Sequence, residues 1–261
     1  MNKLFVMLSG FYKYKNLLYE LVVRDIKTRY RKSVLGLFWT LLNPLCMMLV
    51  MSMVFSTLFR TDIEHFPVYL LTGSILFSFN SEATTQALTS VIANAGLIKK
   101  VYIPKYLFPL SRVLSSVVNM GFALFALLLV MIVTGTPFHS SLFLFFVPIA
   151  YLLLFTTGLS LILSSITVFF RDIHHLYGVF TLLWTYATPL FYPVTIIPEK
   201  FSWIFKWNPM YYYIDYFRLL VLHGEIPGSG INMICFSIGF FTLLLGLVTF
   251  YKTQDKFILH I

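Results

Sequence analysis

The chain has 261 residues, of which 59% are hydrophobic and only 11% charged, with a formal net charge of +9 and a mean hydropathy of +0.84. A soluble domain carries about 25% charged residues, so this composition excludes a water-covered globule and calls for lipid as solvent. The basic residues lie mainly in a few segments between apolar runs, with no nucleic-acid-binding motif beside them, which argues for membrane orientation and against DNA or RNA as a partner.

Residues 1–32 form a basic N-terminal segment. It is long, lacks a small-residue cleavage site and runs into a stretch of spanning length, so it is not read as a cleavable signal. Leu18, Val22, Ile26 and Tyr30 recur every fourth residue, while Glu20, Arg24, Lys27 and Arg31 fall on an opposite, mainly basic face. This predicts an amphipathic helix in the cytoplasmic interface, apolar side down. Its basic residues have two readings. They are an orientation signal beside an anionic leaflet, or Arg24, Lys27, Arg29 and Arg31 meet the phosphate of a lipid substrate.

Residues 33–261 contain six apolar runs near the length of about 20 residues that a helical span needs. They run from about Val34 to Phe59, Pro67 to Leu88, Pro109 to Thr134, Leu142 to Phe170, Gly178 to Ile197 and Ile231 to Tyr251. In lipid the backbone must bond to itself, so these are expected as helices; the alternating polarity of barrel strands is missing. The expected fold is an all-α integral membrane protein with six transmembrane helices, an N-terminal interface helix and short re-entrant outer helices between spans five and six. Fifteen of the nineteen Lys and Arg residues fall on one side of this arrangement, leaving Arg60, Lys200, Lys206 and Arg218 on the other. That asymmetry predicts both termini in the cytoplasm.

Between the second and third spans, Asn94–Pro109 combines Gly96, Pro104 and Pro109 with Lys99, Lys100 and Lys105. Gly can end one helix and Pro open another, so the loop reads as a short docking helix for a partner or as a membrane-surface turn. After the fifth span, an outer loop over 198–229 holds Trp203, Trp207-Asn208-Pro209 and Tyr211-Tyr212-Tyr213. Its aromatics suit the membrane interface. The loop reads as an aromatic belt or as two short helices dipping into the outer leaflet and broken at Asn208-Pro209, with Asp215 and Arg218 spaced to pair. Within the spans, Asn43-Pro44 is expected to bend the first helix. Glu82 lies among Ser, Thr, Asn and Gln, where an intramembrane carboxylate marks either packing or a functional lining.

Several chemistries lack their residues. No Gly is followed by Lys, so the Gly-Lys-Ser/Thr phosphate loop is absent. His174-His175 have no third ligand nearby in sequence. Cys46 and Cys235 sit in separate apolar runs without metal spacing and read as packing residues. Linear order offers no catalytic triad or carboxylate pair.

The order of several short motifs resembles a known family. They are Leu21-Val22-Val23-Arg24-Asp25-Ile26-Lys27-Thr28-Arg29-Tyr30, Leu35-Gly36-Leu37-Phe38-Trp39, Leu42-Asn43-Pro44, Leu97-Ile98-Lys99-Lys100-Val101-Tyr102-Ile103-Pro104, Phe170-Arg171-Asp172-Ile173 and Trp207-Asn208-Pro209-Met210. Over nearly its whole length the chain resembles the membrane (permease) subunit of bacterial ABC exporters of lipid-linked polysaccharides, of the O-antigen, teichoic acid or rhamnan type. The resemblance implies a homodimer in the bacterial inner membrane, working with two copies of a cytoplasmic ABC ATPase. ATP and magnesium would bind the ATPase, leaving this chain without a cofactor or catalytic residue. It implies that Leu97, Ile98, Lys99, Lys100, Tyr102 and Pro104 couple to that ATPase and that Trp203, Trp207, Tyr211, Tyr212 and Tyr213 gate the outer mouth. Candidate pore-lining residues are Trp39, Phe77 and Glu82. The cargo implied is a glycan on undecaprenyl pyrophosphate. Two other functions stand beside it: a permease for drugs or small lipids, and a membrane enzyme such as a glycosyltransferase, for which the outer loops offer few acidic groups.

Overall fold

A computed structural model describes residues 13–30, 35–36, 38–59, 63–201 and 203–260. They form helices α1 (Lys15–Tyr30), α2 (Phe38–Phe59), α3 (Phe66–Leu88), the one-turn α4 (Ser90–Ala93) and α5 (Ala95–Ile98), α6 (Leu107–Thr134), α7 (Phe146–Phe169), α8 (Ile173–Ala187), the one-turn α9 (Trp203–Lys206), α10 (Pro209–Arg218) and α11 (Ser229–Thr253). No strand occurs among the described residues.

Among the described residues four stretches are long and apolar enough to cross a bilayer: Phe38–Phe55, Leu107–Thr134, Ser140–Phe169 and Ser229–Leu259. Two further helices pack beside them. α3 has 23 residues, but a run of polar side chains from Ser78 to Gln86 dilutes its apolar character. α8 has 15 residues, about 22 Å at 1.5 Å per residue, against about 30 Å of hydrocarbon. The sequence predicts helix here from 178 to 197; the helix instead begins at Ile173 and ends at Ala187. Pro189 explains the end, because the residue before a proline is driven out of the helical region. Thr188 accordingly sits at φ −104°, ψ 132°. α2 runs unbroken through Pro44.

Polarity and burial are inverted relative to a soluble bundle. α3, the most polar long helix, lies at the centre, packed by α2, α6, α7, α8 and α10, and Asn80, Thr72 and Thr84 on it are wholly buried. Lipid supplies no hydrophobic drive between helices, so close packing and hydrogen bonds hold them. The tightest pair is α7 with α11. A Cβ on Gly158 would lie 2.4 Å from the Thr242 backbone, and one on Gly246 would lie 2.4 Å from the Gly158 carbonyl oxygen. Only glycine lets these two backbones meet.

A second core closes one end of the bundle. Leu18 and Leu21 of α1, Ile98 and Ile103 of the following loop, Leu107 and Phe108 of α6, Val168 of α7 and Phe250 of α11 pack together with Phe257. The segments richest in Lys and Arg therefore collect at one end. The final turn, Gln254–Leu259, is fastened there as well. Lys105 donates to the Gln254 carbonyl and lies over the Phe257 ring at 5.8 Å. Burial lowers the pKa of its ammonium below the usual lysine value, with nearby Asp255 opposing.

α1 differs from its expected face. The side chains it buries most are Leu18, Leu21 and Asp25, and it packs on α6, whereas Val22 and Ile26 are only partly buried. Asp25 is the reason, since its carboxylate reaches a partner on α6 and turns the helix toward it.

Gly158→Ala is expected to cost roughly 1–3 kcal/mol through overpacking, read as a lower thermal midpoint of the purified chain in detergent. Gly121→Ala, where an added Cβ meets open space, is the control and should leave the midpoint in place. Equal midpoints for both variants would show that the α7–α11 contact does not depend on glycine.

Candidate functional site

α2, α3, α6 and the segment around the end of α8 enclose an open cleft of about 650 Å³. One wall is apolar and rich in aromatic and thioether side chains, among them Trp39, Met47, Met51, Phe77 and Phe191. The polar lining includes Arg29 of α1, Glu82 of α3, and Ser116 and Asn119 of α6. All three candidate pore-lining residues, Trp39, Phe77 and Glu82, thus line one cavity together with Arg29. Phe77 is held in place edge-on to Trp184 at 5.8 Å between ring centres.

Glu82 is the polar hub. Its Oε1 accepts hydrogen bonds from Gln86 Nε2 (2.9 Å), Asn119 Nδ2 (2.8 Å), Ser116 Oγ (3.2 Å) and Arg29 Nη1, with which it forms an ion pair. The sequence leaves Glu82 between packing and a functional lining; its side chain bonds α1 and α6 and faces the cleft.

The other basic residues of α1 are placed differently. Arg24 donates from Nε (3.3 Å) and Nη2 (3.1 Å) to Asp25 Oδ1, and from Nη1 to Asn94 Oδ1 (3.2 Å). Arg112, near the start of α6, reaches the same Asp25 oxygen at 3.1 Å. Arg24 therefore ties α1 to the 94–109 loop rather than pointing into the cleft. Lys27 is exposed on a shallow groove with Glu20, Val23 and Thr28. Arg31 lies outside the described residues.

The 94–109 loop holds less helix than expected. α5 is one turn, Lys99–Val101 turn and bend after it, and Tyr102–Pro104 have no regular structure. Gly96 sits inside that turn and does not end a helix. Ile98 and Ile103 point into the second core, Leu97 and Pro104 are half-buried, and Lys99 and Lys100 are exposed. Tyr102 is 92% exposed. Two buried isoleucines thus brace a projecting basic-aromatic knuckle.

At the opposite end, the break at Asn208-Pro209 forms as expected. Asn208 caps α10 by accepting from Met210 N (3.1 Å). The same oxygen accepts from Trp184 Nε1 (2.8 Å), and its amide nitrogen donates to Thr188 Oγ1 (2.9 Å) and the Ala187 carbonyl (3.2 Å). Arg218, at the other end of α10, does not form the expected ion pair with Asp215. It donates to the carbonyls of Pro189 (2.9 Å), Leu190 (3.2 Å) and Tyr69 (3.2 Å) and stacks on the Tyr69 ring at 3.5 Å. The carbonyls of Pro189 and Leu190 are free because α8 has ended. Gly73 makes room for this, since a Cβ there would lie 2.7 Å from Arg218 Nη2. Of the gate candidates, Trp203 and Trp207 are exposed, and Tyr211 and Tyr212 are half-buried. Tyr213 is wholly buried and donates to the Cys235 carbonyl (3.0 Å), which puts it in the core.

Asp25, Asn94, Ser116, Asn119 and Arg112 were not singled out as site residues from sequence. Their role is relational, and no local pattern announces which distant groups they meet. Among the described residues no group of His, Cys, Asp and Glu is arranged to hold a metal ion.

Residues 16–222 match the family described as ABC-2 type transporter. The chain is 32% identical to the O-antigen export system permease protein RfbA of Klebsiella pneumoniae, over 93% of each protein. It is 25% identical to the polysialic acid transport protein KpsM of Escherichia coli, over 95% of this chain and 97% of KpsM. It is 29% identical to the capsule polysaccharide export inner-membrane protein BexB of Haemophilus influenzae, over 87% of each.

Asp25→Ala leaves Arg24 and Arg112 without their shared carboxylate. Breaking a buried pair costs roughly 3–5 kcal/mol; with Arg24 nearly half exposed, solvent screening reduces this to about 2 kcal/mol. The expected result is faster tryptic cleavage at Lys27 as α1 loosens from α6. Wild-type protection of Lys27 in the variant would show that other contacts hold the helix.

Proposed function

The chain belongs to the ABC-2 type transporter family, and from that premise we propose that it exports a polysaccharide carried on undecaprenyl pyrophosphate across the bacterial inner membrane. It is the multi-pass transmembrane permease and not the ATPase, which is a separate subunit. ATP and magnesium belong to that partner.

The observation that carries the cargo reading is the cleft. Its polar end, with Arg29, suits a phosphate head, and its aromatic wall suits the apolar faces of sugars or a lipid chain. The names of the relatives point to the same class, since they concern O-antigen, polysialic acid and capsule polysaccharide. A cleft open along one side also favours a homodimer. Only 6% of Phe38–Phe55 is buried, and α8 exposes Val179, Leu182, Leu183 and Tyr186. A second copy laid against these faces closes two clefts into one passage.

In this reading α3 and α8 cross the membrane with the four longer stretches, giving six spans and both termini in the cytoplasm, as the basic asymmetry demands. The knuckle Lys99–Tyr102 then faces the cytoplasm and docks on the ATPase. Trp203, Trp207, Tyr211 and Tyr212 border the outer mouth. ATP binding drives the cycle only through contacts that differ between two states of the permease.

The decisive experiment is reconstitution with the partner ATPase in vesicles. A polysaccharide linked to undecaprenyl pyrophosphate should stimulate hydrolysis and be delivered to the far side, whereas small apolar drugs should do neither; the reverse pattern overturns the cargo. Tyr102→Ala should weaken copurification with the ATPase about tenfold, as loss of a central aromatic anchor does, without lowering the permease's thermal midpoint. Unchanged copurification rejects the docking role. In a background with Cys46 and Cys235 replaced by serine, a cysteine at Lys100 should react with a membrane-impermeant maleimide only after cell lysis, and one at Lys206 in intact spheroplasts.

A further inference from the structure

Four donors converge on one oxygen of Glu82. The guanidinium of Arg29, the hydroxyl of Ser116 and the amides of Asn119 and Gln86 all donate to Oε1. They come from three elements, α1, α3 and α6, that are far apart in sequence. An ordinary ion pair needs one donor. A guanidinium, a hydroxyl and side-chain amides converging on one point are the donor types that also bind phosphate oxygens.

The place matters as much as the number. Arg29, Glu82, Ser116 and Asn119 line an open cleft, with Gln86 supporting Glu82 from one turn further along α3, and the Arg29 and Glu82 side chains each remain about a third exposed. A purely structural bridge gains most where water cannot reach it, while an exposed pair contributes little to stability. This pair is therefore weak enough to exchange and positioned where a ligand can reach it. The wall next to it is apolar and aromatic, so an occupant with an anionic head and an apolar or sugar body matches the lining on both counts.

We propose that Arg29, Ser116, Asn119 and Gln86 form a phosphate-binding cradle that Glu82 occupies as a tethered stand-in, and that a phosphate-bearing lipid enters by displacing the Glu82 carboxylate. This rests on the reading of the cargo as a pyrophosphate-linked lipid. Glu82 then sets a threshold. A solitary lipid phosphate in the leaflet must compete with a carboxylate held at high effective concentration by its own helix. A pyrophosphate, with more charge and more acceptor oxygens, competes better. The residue that occupies the cradle thus also discriminates between anionic heads. No covalent step is involved, only an exchange of hydrogen-bond acceptors.

The consequence runs against the usual effect of removing an ion-pair partner from a binding site. Glu82→Gln keeps the side chain's size but removes the competing charge, so it should tighten binding. The test uses the permease–ATPase complex in nanodiscs, titrated with undecaprenyl pyrophosphate, with undecaprenyl monophosphate, with the uncharged polyprenol and with inorganic pyrophosphate, and read as the half-stimulating concentration for ATP hydrolysis. Glu82→Gln should lower that concentration for undecaprenyl pyrophosphate by about fivefold, the scale of a partly exposed ion pair, and should narrow the preference for pyrophosphate over monophosphate lipid. Arg29→Gln should raise it at least tenfold. In the Arg29→Gln background, Glu82→Gln should give no gain, because the carboxylate then guards nothing. Copurification with the ATPase and the thermal midpoint verify that each variant is assembled.

A stimulated wild-type complex whose half-stimulating concentration is unchanged or raised by Glu82→Gln overturns the stand-in role and leaves the cargo reading intact. An equal gain with and without Arg29 also overturns it, since that is long-range repulsion and not displacement. A wild-type complex that hydrolyses ATP yet ignores undecaprenyl pyrophosphate overturns the cargo reading and the inference together. Stimulation by inorganic pyrophosphate at the same concentration, with the same response to both substitutions, supports the cradle and assigns it a soluble anion in place of a lipid head.

Discussion

Arg218 carries a full charge in a buried site and has no carboxylate bound to it. Its hydrogen bonds go to backbone carbonyls of Pro189, Leu190 and Tyr69. Two of those carbonyls are available only because α8 stops at Ala187, and α8 can stop inside the protein only because something accepts the burden of its unpaired ends. Away from water, each unsatisfied polar group costs several kcal/mol. The same requirement governs Asn208, which uses its oxygen twice and its nitrogen twice to close the start of α10 against the end of α8. Both ends of α10 are thus fixed to the place where α8 unwinds. These bonds tie the end of α8, both ends of α10 and Tyr69 of α3 together, and they satisfy the backbone carbonyls that the irregular segment after Ala187 leaves open.

The opposite end is built by the same rule with charge added. Asp25 joins α1 to α6 through Arg112 and, through Arg24 and Asn94, to the loop that bears the exposed knuckle. Glu82 joins α1 to α3 and α6. Hydrophobic burial does little to choose among arrangements of apolar helices in lipid, whereas polar pairs and glycine contacts are directional and short-ranged. They select the register of α1 on α6, of α7 on α11 and of α10 on α8.

This division explains what could be read from sequence. Apolar run length located the helices, because span length is set by bilayer thickness. Proline and asparagine located the break at Asn208-Pro209, since both act on their own backbone. The end of α8 was misplaced because the apolar run continues past Pro189 through Leu190 and Phe191, and hydropathy does not register a missing donor. The face of α1 was shifted because its pattern was read from apolar residues alone, while a buried Asp25 sets its rotation. Tyr213 reads like its neighbours Tyr211 and Tyr212, yet its hydroxyl meets Cys235 across the bundle. Trp39, Phe77, Glu82 and Arg29 were each visible as candidates. That they share one cleft was not, because it depends on contacts among α1, α2, α3 and α6 that no local window contains.

The connections at the charged end also bear on how the proposed docking of the ATPase on the knuckle would reach the cleft. The knuckle Lys99–Tyr102 is braced by Ile98 and Ile103, which pack in the same core as Leu18 and Leu21 of α1. Asn94, at the start of that loop, is bonded to Arg24, one turn and a residue before Arg29 on the same helix. A push on the knuckle is therefore delivered to α1 by both packing and hydrogen bonding. α1 ends at the Arg29–Glu82 pair, whose strength falls steeply with small changes in separation and angle. A displacement of about 1 Å, too small to unpack a helix from the second core, is large enough to spoil a hydrogen bond centred on one oxygen. Under the proposed docking of the knuckle on the ATPase, such a lever is rigid where it would receive force and fragile where it meets the cleft, the order of stiffness needed for a movement at the surface to alter the proposed binding site rather than dissipate in the bundle.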